Sequence, residues 1–182
     1  MSGMAETGVL QQRDGRWVLH YERRLRHAPE RVWRALTDAE DLAHWFPAAI
    51  EGTWLVGADL KFVFAEHMDY QSGGKVRIWE PPRLLEYSWE NEVLRWELEA
   101  RDWGTQLRFI YTFDDRSVAA RNGSGWHLCV DRLIARLDGA PAPAMDSWPE
   151  GYSVYVAKLG LGDFPGFLKS AETVPGISEH AS

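Results

Sequence analysis

Between residues 16 and 113 hydrophobic and polar positions alternate in short runs broken by Gly, Pro and acidic turns, the period-two signature of half-buried strands. After a turn at Asp14-Gly15, residues 16–26 place Trp17, Leu19, Tyr21 and Leu25 on one face. Arg23 falls on that same face, either as a strand end reaching solvent or a carboxylate, or as a charge set inside a pocket. Pro29 and Glu30 suit the first turn of a short helix over 29–36. A second short helix follows, capped by Thr37 with Glu40 three residues on, apolar at Leu42, Trp45 and Phe46, and stopped by Pro47.

The strand texture resumes at 48–55 and 59–66, where Leu60, Phe62 and Phe64 alternate with polar neighbours. Residues 68–74, with Gly73-Gly74, read as a polar loop, and Glu66, His67 and Asp69 beside it are either part of a solvated loop, the favoured reading, or a rim gate or general base. A strand at 75–79 ends at Pro81-Pro82. Three more follow at 84–90, 93–101 and 106–113, each with one greasy and one wet face. Such a meander needs a cover. Residues 125–137, capped by Ser124 and apolar at Trp126, Val130, Leu133 and Leu137, supply an amphipathic helix to lie across it. The pattern therefore predicts an α+β fold: a curved antiparallel sheet of about seven strands, two short helices and a long C-terminal helix.

Domain organisation follows from the same pattern. Residues 1–15 are a flexible leader, 16–139 one domain, and 140–182 an extension with a short helix near 148–159 and a disordered end. The length of 182 residues suits a single core. A net charge of −7 disfavours a surface that neutralises phosphates, so no nucleic-acid partner is expected. Residues 1–15 lack an apolar signal core, and no run approaches the roughly 18 apolar residues of a spanning helix, so no membrane partner is expected either. The lone Cys129 cannot pair within the chain, which points to a reducing, cytoplasmic setting.

No phosphate loop, dinucleotide fingerprint, nucleophile elbow or metal-spaced Cys/His motif is present, so neither a cofactor nor a metal is expected. His127 and Asp131 stand four apart on the long helix; they are an exposed pair or, turned inward, a proton-transfer unit. With Arg23 they are the candidate catalytic groups. Rings carry the larger signal. Ten Trp, six Tyr and seven Phe exceed what a thin core needs, and they either thicken it or line a cavity for an apolar guest.

Arg31-Val32-Trp33-Arg34-Ala35-Leu36-Thr37-Asp38, Leu42-Ala43-His44-Trp45-Phe46, Arg95-Trp96-Glu97-Leu98, Gly104-Thr105-Gln106-Leu107 and Gly125-Trp126-His127-Leu128 with Asp131-Arg132-Leu133 resemble one family. It is the family related to the C-terminal domain of the heat-shock protein ninety ATPase activator. It lies within the SRPBCC superfamily, whose helix-grip fold is that of the birch pollen allergen and START-related domains. The resemblance covers roughly residues 16–139. It implies a cavity between sheet and long helix, with Phe62, Phe64, Tyr87, Trp89, Trp96, Phe109, Tyr111, Trp126 and Val130 as ligand-binding residues.

Three functions are compatible with these features. A small apolar or aromatic molecule could occupy the cavity. A chaperone ATPase, or a second copy, could be the partner. The chaperone contact would use Trp45, Phe46 and the segment 13–34, which holds Arg13, Arg16, Arg23, Arg24, Arg26, Arg31 and Arg34. A cyclase or dehydratase could move protons through His127, Asp131 or Arg23.

Overall fold

The computed structural model describes residues 7–64, 71–144 and 147–160. Eight strands run β1 (Val9–Arg13), β2 (Arg16–Leu25), β3 (Ala49–Gly52), β4 (Asp59–Val63), β5 (Gln71–Glu80), β6 (Leu84–Trp89), β7 (Glu92–Arg101) and β8 (Gly104–Phe113). Four helices accompany them: α1 (Pro29–Thr37), α2 (Ala39–Leu42), α3 (Ala119–Asp138) and α4 (Trp148–Leu159). The strands form one antiparallel sheet in the order β1-β2-β8-β7-β6-β5-β4-β3. The expected α+β architecture is what the chain adopts, with one strand more than expected.

The additional strand lies in the leader. Asp14 and Gly15 both take positive φ, the geometry of a tight hairpin turn, and this folds Val9–Arg13 back onto β2. Gln71–Gly74 likewise belong to β5 rather than to a polar loop, because Gly74 is a close-approach residue. A Cβ there would sit 1.9 Å from the Ser88 carbonyl oxygen, so only glycine lets β5 lie against β6. Residues 65–70, which include the candidate rim groups Glu66, His67 and Asp69, lie outside the described residues, as does the end of the chain beyond 160.

Asp38, not Thr37, caps α2: its carboxylate accepts from the amides of Glu40 and Asp41, while the Thr37 hydroxyl turns back to the Trp33 carbonyl. α3 starts six residues earlier than the apolar stripe predicts. Ser124 is inside it, donating to the Arg121 carbonyl instead of capping. Its far half is tied to α1 and α2 through Asp41, which is 3% exposed and accepts from Arg136 at 2.7 Å and Arg31 at 3.1 Å. Burial raises the Asp41 carboxyl, but the Arg136 hydrogen bond and the charges of Arg31, Arg136 and Arg34 outweigh that and hold it below its ordinary value.

Under α3 the concave face of the sheet is filled by rings. Trp96 stacks on Phe109 at 3.8 Å, Trp45 meets Trp96 edge-on at 5.5 Å, and Trp126 closes on Phe109 at 5.2 Å. The indole N–H of Trp96 is buried without a hydrogen bond, and its polar neighbour is the Tyr87 hydroxyl. Trp45 and Phe46, the apolar side of the second short helix that a chaperone contact would use, are in this core. Most of the arginine-rich segment is also engaged internally: Arg16 with Asp114, Arg26 with Asp138, Arg31 and Arg34 with Asp41, and Arg24 stacked over Trp103.

A candidate ligand cleft beneath the first half of α3

The sheet and α3 part company at one end. Between the first turns of α3 and the tips of β4, β6, β7 and β8 lies an open cleft of about 830 Å³. Phe64, Trp89, Tyr111 and Trp126 wall it, Pro47 and Leu128 flank it, and Cys129 lies deeper. Burial pushes the Cys129 thiol up to about 12, so it is a small apolar wall rather than a nucleophile.

Five of the nine ring and aliphatic positions expected to line a cavity are elsewhere. Phe62, Tyr87, Trp96, Phe109 and Val130 are each no more than 1% exposed and pack against one another beneath the cleft. Ring stacking fills the centre of the grip, and the remaining space is pushed to its mouth. Among the described residues the space is therefore an open cleft on a solid aromatic floor and not an enclosed chamber.

The cleft also holds polar groups. Glu92 opens β7 opposite Trp89 and is half-buried. Burial is the main influence on its carboxyl and raises it, against the opposing hydrogen bond of Tyr111 and the charges of Arg121 and Arg16. Tyr111 accepts from Asn122 Nδ2 at 3.1 Å, with Trp126 and Glu92 as its further polar neighbours. Sequence reasoning alone misses Glu92, Asn122 and Arg121, although two of them carry a signal. Glu92 has the parity of Leu94, Trp96 and Leu98, and Asn122 stands four residues before Trp126 on the inward stripe.

The candidate catalytic groups gather in a different place. His127 Nε2 lies 3.3 Å from Asp131, Asp131 lies 4.0 Å from Arg23, and His127 Nδ1 lies 3.0 Å from the Tyr155 hydroxyl of α4. The Gly8 amide donates to that same hydroxyl at 2.7 Å. Arg23 is 6% exposed, and the pair on α3 is half-buried beside α4. A narrow crevice of about 140 Å³ reaches His127, Asp131 and Tyr155. The three candidates thus meet one another, but not the aromatic cleft.

A family model described as activator of Hsp90 ATPase homolog 1-like protein matches residues 26–138. The chain belongs to that family. The matched segment holds the strands from β3 to β8 with α1, α2 and α3, and leaves β1, β2 and α4 outside. Comparison with curated proteins gives no match. Among solved structures the chain is similar to a conserved protein of unknown function, EF2215, from Enterococcus faecalis (20% identity, TM-score 0.72, covering 86% of this chain and 92% of that one). It is also similar to CalU16 from Micromonospora echinospora (22%, TM-score 0.70, 87% and 98%) and to MLL2253 from Mesorhizobium loti (24%, TM-score 0.60, 68% and 98%). At these identities the likeness is one of fold. Family and fold together make the chain a ligand-binding or interaction module in the broad sense. No helix among the described residues is long and apolar enough to cross a membrane.

Proposed function

We propose that the protein binds a small aromatic or apolar molecule in the cleft under the first half of α3. The observation that carries this reading is the pairing of four ring walls, Phe64, Trp89, Tyr111 and Trp126, with a few oriented polar atoms in one open space of ligand size. A filled aromatic floor favours it further, because a ligand then meets a rigid surface and loses little to reorganisation of the protein. Phe64, Trp89, Tyr111 and Trp126 are the binding residues of the nine expected; the other five support them from below. The buried, unpaired Cys129 supports a cytoplasmic setting.

Native mass spectrometry and thermal shift against a set of two- and three-ring aromatics test the reading. Added mass with a raised melting temperature is expected, together with a change in tryptophan fluorescence that Trp89→Ala weakens. A chain that takes up none of the set, at concentrations where unrelated proteins also fail, would remove the proposal. A chaperone partner is compatible with the family's description, but it would need a surface other than Trp45 and Phe46, which are buried.

A further inference from the structure

We propose that Glu92 selects, within this cleft, aromatic ligands that carry a protonated amine. The inference rests on the proposed ligand cleft and adds the chemistry of the ligand's head group. Two observations carry it.

The first is hydrogen-bond capacity. A phenol oxygen accepts at most two hydrogen bonds and donates one, and Tyr111 already accepts from Asn122 at 3.1 Å, with Trp126 and Glu92 as its other polar neighbours. An ionised carboxylate offers about four acceptor sites. Among the described residues no ion pair joins Glu92, on which Arg121 and Arg16 act as charges at a distance. The carboxylate is thus the one fixed anion among the described cleft residues with acceptor sites left over, and a group that fills them must be a donor.

The second is the surroundings. Trp89 and Trp126 stand nearly perpendicular at 6.3 Å, with Tyr111 5.4 Å from Trp126, and Phe64 5.8 Å from Trp89. Ring faces set around a carboxylate attract a cation by their quadrupoles, and a half-buried acid gains by regaining a counter-charge. Arg121 also borders the cleft, but it is exposed at the rim, where solvent and salt screen it. It acts on Glu92 from a distance and leaves the contact position to the ligand.

Three probes of one shape decide the matter by isothermal titration calorimetry: 2-naphthylmethylamine, 2-naphthalenemethanol and 2-naphthylacetate. The wild-type chain is expected to bind the amine about tenfold more tightly than the alcohol, and the acetate most weakly. Glu92→Gln should bring the amine to the level of the alcohol while the alcohol changes less than about twofold. Equal affinity for amine and alcohol, or a preference for the acetate, would overturn the role of Glu92 and leave the aromatic cleft standing. Binding of none of the three overturns both. The wild-type series separates these outcomes by itself, even if the variant folds poorly.

Discussion

The two polar clusters along α3 are made of similar groups and end in opposite states. On the side facing α4, each group is answered by the protein itself. The Gly8 amide donates to Tyr155, the Tyr155 hydroxyl is free to donate to His127 Nδ1, and His127 Nε2 then donates to Asp131, which also faces Arg23. On the side facing the strand tips, Asn122 donates to Tyr111, Glu92 stands beside that hydroxyl, and among the described residues no ion pair joins this carboxylate in the open cleft. A closed series locks elements together, here the N-terminal strand, α3 and α4. An interrupted one presents its last member to whatever enters. Under the proposed reading His127, Asp131 and Arg23 serve stability and Glu92 recognition, although the sequence marks the first three more plainly.

The most severe way to break the contrast is to open the closed side. A Cβ on Gly123 would sit 2.6 Å from the Tyr155 ring, so a large side chain there must push α4 away. Gly123→Leu is expected to cost about 3 kcal/mol in urea unfolding. It should also expose the segment before α4 to limited proteolysis. Unchanged stability and an intact digestion pattern would show that Tyr155 does not hold α4.

Next in size is Asp41, a second closed cluster. Asp41→Asn should cost about 2 kcal/mol at neutral pH, since two charge-assisted hydrogen bonds weaken while their arginines remain partly screened by water. The carboxyl is held below its ordinary value in the folded state. Its contribution is therefore present above the unfolded carboxyl range and lost as pH falls through the folded value. Wild type and variant should converge when urea midpoints are compared at pH 7 and pH 3. A gap that stays constant would mean the aspartate acts by packing alone.

Smaller again is His127→Phe, expected to cost about 1–2 kcal/mol because Asp131 and Tyr155 each lose a partner in a poorly hydrated place. Calorimetry with the naphthalene probes should be unaltered. Loss of probe binding, with the melting temperature unchanged, would move the functional assignment back to the histidine.

Much of this arrangement is legible in residue order. Period-two alternation marks β2, β4, β6, β7 and β8, and the stripe from Trp126 to Leu137 marks the covering helix, because in each case burial on one face sets the pattern. Three elements are not legible for identifiable reasons. β1 is an edge strand with almost no buried side chain, so it leaves no alternation. The start of β5 is glycine where backbones touch, which reads as a loop until the neighbouring strand is in place. The first turns of α3 run through Asn122-Gly123-Ser124-Gly125, poor helix formers whose conformation is secured by packing under Tyr155. The cleft is hidden for a related reason: inward parity identifies a ring as buried, but not whether it meets another ring or an open space.

The smallest expected effect is the one that separates the two clusters most sharply, because it has the opposite sign. Burial raises the Glu92 carboxyl above its unfolded value, with Asp114 adding to that and Tyr111, Arg121 and Arg16 opposing it. A carboxyl so raised favours folding fully below its unfolded range, and that advantage is lost as pH rises through its folded value. Where Asp41 strengthens the fold at neutral pH, Glu92 weakens it. Glu92→Gln is therefore expected to leave stability unchanged near pH 3 and to raise it at pH 7 by about 0.5 kcal/mol or less, measured as the shift in urea midpoint. A residue kept for packing would be improved by evolution toward glutamine at no loss, whereas one kept to meet a ligand's positive charge would carry this small cost. A variant less stable than wild type at pH 7 would mean that the carboxylate is already satisfied within the protein, and the distinction between the closed and the open cluster would fall with it.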